Sequence, residues 1–137
     1  MAALIQQFMH KGILKTAFLL GAFSVAMGAF AAHGLKDMVS DHALSTFETA
    51  VRYQFYHVFA LAIVGILYKE YPNQFTRFSG WFFIAGIVLF SGSLYVLAMI
   101  QAAVQPGYRW VGIITPFGGL CFILGWLMLA VSVWRRK

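Results

Sequence analysis

Phe78–Tyr108 reads FSGWFFIAGIVLFSGSLYVLAMIQAAVQPGY, and no Asp, Glu, Lys or Arg interrupts it. A helix needs about 20 mostly apolar residues to cross the hydrocarbon of a bilayer, and this stretch supplies them with room for a turn at Gln105-Pro106-Gly107. Three more charge-free stretches flank it: Thr16–Ala32, Phe55–Tyr68 and Trp110–Trp134. The chain holds four acidic and ten basic side chains, placed at the edges of these stretches. Charged residues make up 10% and hydrophobic ones 61%, against the roughly 25% charged of soluble domains. So few charges cannot coat a globule in water without leaving large apolar patches. The bilayer is the solvent that fits this surface.

The pattern predicts an all-α, four-span transmembrane helix bundle forming a single integral membrane domain over residues 1–137. The spans fall at about 15–34, 51–68, 78–100 and 112–134. Between the first two, residues 37–50 carry the only soluble character. Ser40 or Asp41 can cap a short interfacial helix there, with Phe47, Ala50 and Val51 on its apolar side. Glu48 and Arg52 stand four apart in the order that favours a helical ion pair. Lys11 and Lys15 before an apolar run, with Ala29-Phe30-Ala31 after it, also resemble a cleavable secretory signal. Gly21 and Gly28 suit a packed helix better, so a retained first span is expected.

Four spans place both termini on one side. Lys11, Lys15, Lys69, Arg77, Arg135, Arg136 and Lys137 share that side, while Lys36, Arg52 and Arg109 fall on the other. Seven basic residues against three put both termini in the cytoplasm by the positive-inside rule. The net charge of +6 is therefore read as membrane-side placement, and nucleic acid is not an expected partner. Expected partners are membrane lipids, and a second copy or another membrane protein.

Helices in lipid associate through close backbone approach and polar contacts. Ser24, Gly28 and Ala32, then Thr115 with Gly119 and Cys121 with Gly125, have the four-residue spacing of such seams. Pro116 removes a backbone donor inside the fourth span, giving either a kink or a helix break that exposes carbonyls to a ligand.

Residues able to ionise or hydrogen-bond near a membrane are the best pointers to function. His33, Arg52, His57, Ser91, Ser93, Tyr95, Arg109 and Thr115, with Glu48 beside Arg52, are all expected in the outer half. They form a candidate polar cluster or ligand site. No third ligand accompanies the histidines to hold a metal, and no nucleophile elbow, P-loop or dinucleotide fingerprint occurs. No catalytic residue, metal or cofactor is expected.

Gly28-Ala29-Phe30-Ala31-Ala32-His33-Gly34-Leu35 and Ala50-Val51-Arg52-Tyr53-Gln54-Phe55-Tyr56-His57 resemble motifs of the DUF423 (UPF0382) family of small membrane proteins. Phe90-Ser91-Gly92-Ser93-Leu94-Tyr95 and Ile114-Thr115-Pro116-Phe117-Gly118-Gly119 are similar to its later motifs, in the same order. The resemblance implies a small polytopic protein of the bacterial cytoplasmic membrane, with relatives in eukaryotes. It implies no reaction or substrate, since the family is uncharacterised. Three functions remain open: a non-enzymatic scaffold or accessory subunit binding lipid or another membrane protein; transport of a proton, ion or small solute through an oligomer; and outward-facing binding of an anionic lipid headgroup.

Overall fold

The computed structural model describes residues 10–103 and 110–135. Four helices run through them: α1 (Lys11–Leu35), α2 (Asp41–Leu67), α3 (Gln74–Ala102) and α4 (Trp110–Trp134). Each is long and apolar enough to cross a membrane, and there is no strand among the described residues. Large side chains point outward along every helix. Leu19, Trp81, Val88 and Ile113 are each more than 60% exposed, an arrangement that hydrocarbon tolerates and water does not.

The helix limits extend beyond those expected from hydropathy because polar residues cap the ends. Ser40 accepts from Ala43 N and starts α2 ten residues before position 51. The segment expected to form a separate interfacial helix is thus the opening of one continuous helix of 27 residues. Nothing between Ser40 and Gly65 breaks it, and its buried residues Ala43, Phe47, Ala50, Gln54, His57, Leu61 and Val64 form one stripe. Such a helix is about 40 Å long, roughly 10 Å more than the hydrocarbon core. That excess accommodates Asp41 and Glu48. Asn73 caps α3 by accepting from Phe75 N and Thr76 N.

Pro116 does not break α4, which is helical from Trp110 to Trp134. Its ring is exposed, so it meets no neighbouring helix, and the flanking turns absorb the one missing N–H. The irregular backbone lies elsewhere, in π-helical turns at Phe30–Leu35 of α1 and Ile87–Ser91 of α3. An extra residue in a turn rotates the remainder of the helix by about 100°. Across the α3 turn the buried face passes from Thr76, Ser79, Gly80 and Phe83 to Ser91, Ser93 and Ala98. The first half of α3 packs chiefly on α4 and the second chiefly on α2.

The close approaches involve different small residues from the expected seams. Gly92 faces open space, Gly119 makes ordinary contact, and Gly28 meets Val51 at van der Waals distance. By contrast, a Cβ on Gly118 would run into the backbone of Phe90, and one on Gly86 into the Phe122 ring. A Cβ on Gly125 would lie 2.6 Å from the Phe83 ring. Phe83 and Phe122 thus seat reciprocally in glycine notches between α3 and α4. Of the expected pairs, only Gly125 has such a role.

Two apolar clusters result. One gathers Ile13, Ala17, Val58, Leu61, Val64, Phe83, Phe122 and Leu129; the other gathers Ala31, Leu35, Phe47 and Ala98. At one end of the bundle His10 N donates to Gly65 O and Asn73 Nδ2 donates to Ser132 O. Those bonds join the start of α1 to the end of α2, and the start of α3 to the end of α4.

Gly118→Ala tests the α3–α4 approach. Overpacking against backbone costs about 1–3 kcal/mol, against a helix-propensity gain of up to about 1 kcal/mol. Unfolding in detergent should show a net loss of stability for Gly118→Ala and none for Gly92→Ala.

Candidate functional site

The stripe that α2 buries is apolar except at Gln54 and His57. Gln54 is 1% exposed and lies between Phe47 of one apolar cluster and Val58 of the other. Tyr95 of α3 donates its hydroxyl to Gln54 Oε1 at 2.9 Å, and Gln54 Nε2 donates to the Leu20 carbonyl of α1 at 3.4 Å. Ser24 Oγ donates to the same carbonyl at 2.8 Å. One amide therefore ties three helices together. An unpaired amide in hydrocarbon costs several kcal/mol, so both of its ends must find partners. Here both do.

His57 is the second node. Its Nδ1 lies 2.8 Å from Tyr53 O, and Trp126 Nε1 donates to its Nε2 at 3.4 Å. A carbonyl can only accept and an indole N–H can only donate, so the two contacts fit a neutral ring with its proton on Nδ1. The imidazole stacks on Phe122 with centroids 3.4 Å apart and planes within 5°. Phe83 lies 5.7 Å away, and Trp126 packs edgewise on Phe83. His57 is in the middle of α2, level with the middle of α4, rather than in the first turns of its span. The expectation of an outer-half position rests on starting that span at residue 51.

A third pair lies beside the π-helical turn of α3. Ser93 Oγ donates to Phe90 O at 2.9 Å and lies 2.7 Å from Thr115 Oγ1. With the Ser93 proton on the carbonyl, Thr115 is the donor to Ser93. Ser91 is fully buried, and its hydroxyl has no partner in the structure.

The expected cluster therefore divides. Ser93 and Thr115 meet each other, Tyr95 meets Gln54, and His57 meets Trp126. His33, Glu48 and Arg52 are exposed instead, and no ion pair joins Glu48 to Arg52. Arg109 lies outside the described residues. Gln54, Ser24 and Trp126 are not among the expected site residues. Gln54 has a readable signal: it follows Phe47 and Ala50 on the alternating four- and three-residue spacing of the buried stripe. Trp126 has none, because its ring is 46% exposed and only its N–H turns inward.

Outside this polar layer, the side of the bundle carries a groove of about 450 Å³. Met27 and Phe30 of α1, Phe47 of α2, and Tyr95, Val96 and Met99 of α3 are among its walls. The Tyr95 hydroxyl is turned away from it toward Gln54, so the lining offers hydrocarbon and aromatic ring.

The Gln54–Tyr95 bond is open to a double-mutant cycle. Tyr95→Phe and Gln54→Leu should each lower stability in detergent unfolding, and the pair should lose less than their sum. The expected coupling is about 0.6–1.7 kcal/mol, the range for side-chain bonds in membranes. Additive losses would show that the bond contributes nothing.

Residues 27–119, which contain all three polar pairs except Trp126, match the family model described as "Protein of unknown function (DUF423)". The chain is 42% identical over 126 residues to the UPF0382 membrane protein SAB0533 of Staphylococcus aureus, covering 89% of this chain and 98% of that one. The UPF0382 membrane protein SH2409 of Staphylococcus haemolyticus is 44% identical over the same shares. The UPF0382 membrane protein YwdK of Bacillus subtilis is 39% identical, covering 87% of this chain and 96% of its own. No solved structure matches. Four apolar helices and relatives that are membrane proteins over nearly their whole length lead to one assignment: the chain is a membrane protein of the uncharacterised DUF423 (UPF0382) family.

Proposed function

We propose that this chain is a non-enzymatic scaffold or accessory subunit of the bacterial cytoplasmic membrane that binds lipid or another membrane protein through its lipid-facing sides. The observation that carries this reading is the division of chemistry between the middle of the bundle and its flank. Polar side chains in the middle are engaged with one another across helices. The recess on the flank offers only apolar walls. A protein built this way presents recognition surface to the bilayer and reserves its hydrogen bonds for holding the helices together.

Orientation is argued from the basic residues. Lys11, Lys15, Lys69, Arg77 and Arg135 gather at the bundle end where α1 meets the end of α2, and α3 meets the end of α4. Arg135 also sits over the Phe75 ring at 5.0 Å. The positive-inside rule makes that end, with both termini, cytoplasmic.

Transport draws less support, since Tyr95, His57, Ser93 and Thr115 are occupied by partners rather than free to line a passage. Anionic-headgroup binding also draws less support. Lys36 and Arg52 at the opposite end are matched by Asp37, Asp41 and Glu48, all exposed, so the local field there is weak.

Crosslinking in native membranes with subsequent native mass spectrometry checks the proposal. It predicts reproducible enrichment of one lipid class or one membrane protein. Recovery of the bare chain with only bulk lipid, or flux in proteoliposomes that falls in His57→Ala, would contradict it.

A further inference from the structure

We propose that the groove between α1, α2 and α3 is a seat for a single acyl chain of a membrane lipid. The inference rests on the lipid-binding branch of the proposed function and names the part of the lipid that is held.

Several observations converge on this occupant. The groove runs from Tyr95 to Ala103 along α3, two turns or about 12 Å. It lies between the buried polar layer and the end of the span. Recesses lined only by apolar groups do not hold water. Gln54 takes the one hydroxyl on the walls, that of Tyr95, so no donor or acceptor remains for a headgroup or a peptide backbone.

Size narrows the choice further. A three-turn helix about 16 Å long and 10 Å across occupies roughly 1,200 Å³. The groove offers about 450 Å³, too little for a helix from a second copy or a partner. An extended hydrocarbon chain has the slender form that fits. Met27 and Met99 stand on opposite walls, and unbranched thioethers adapt to chains of varied bend and length. Phe30 and Phe47 pack edge to face at 5.9 Å, and Phe47 packs on Tyr95 at 4.8 Å. These rings make a fixed floor beneath the two adaptable walls.

The test uses the full chain in bilayer nanodiscs containing phosphatidylglycerol with a diazirine on one acyl chain. Photolabelling should concentrate on Met27, Val96 and Met99, several-fold above Val88 and Ile113. Those two are exposed on other faces and report ordinary lipid contact. Val96→Trp, which fills the groove from an exposed position, should reduce groove labelling several-fold and leave Val88 and Ile113 labelled as before. Replacing the headgroup with phosphatidylcholine should leave the pattern unchanged. Uniform labelling of all exposed positions would overturn the seat, even if a lipid or protein is enriched elsewhere on the molecule. Labelling that tracks the headgroup rather than the chain would overturn it too. So would protein–protein crosslinks from Val96 to a second copy.

Discussion

A polar group held in hydrocarbon has no water to fall back on, and the whole bundle is organised by that constraint. The backbone meets it by being helical wherever it crosses. The side chains meet it in pairs: Gln54 with Tyr95 and the Leu20 carbonyl, His57 with Trp126, and Ser93 with Thr115. Each pair joins residues on different helices. Satisfying polar chemistry is therefore the same act as specifying how the helices meet. Lipid does not drive apolar surfaces together, so these bonds and the glycine notches supply what a hydrophobic core supplies in water.

The notches and the polar layer depend on one another. Phe122 reaches into the bundle because Gly86 makes room for it, and only then can its ring lie flat on His57. Gly125 accommodates Phe83, which contacts both His57 and Trp126. Gly118 brings α4 against the backbone of Phe90, next to the carbonyl to which Ser93 donates. The π-helical turn preceding these residues resets the phase of α3, so that Tyr95 reaches α2 from a helix whose other half serves α4. One helix can then pack on two partners, each with its own buried face.

Much of this is legible in the sequence, and the parts that are not have physical reasons. Charge-free stretches mark the four spans directly, because hydrocarbon penalises charge more than any other feature of a side chain. Hydropathy alone starts α2 too late because Asp41 and Glu48 read as surface residues. They are, but on a helix long enough to leave the hydrocarbon without ending. Pro116 suggests a break, yet a proline whose ring faces lipid deletes one bond and disturbs no packing. Neither π-helical turn has a residue signature, since both arise from how neighbouring helices fit. Polar residues collected by depth alone mix two populations. Position on the buried stripe separates Gln54 and His57, which face inward, from Glu48 and Arg52, which face out.

The central claim is that the middle of this protein is closed by its own hydrogen bonds, which leaves its flanks to carry function. Hydrogen–deuterium exchange of side-chain protons, read by solid-state NMR of the protein in lipid vesicles, addresses that claim most directly. The Gln54 amide and the His57 ring N–H should resist exchange as strongly as the backbone amides around them. Rapid exchange at both, with the surrounding backbone still protected, would reveal a hydrated interior and contradict the account.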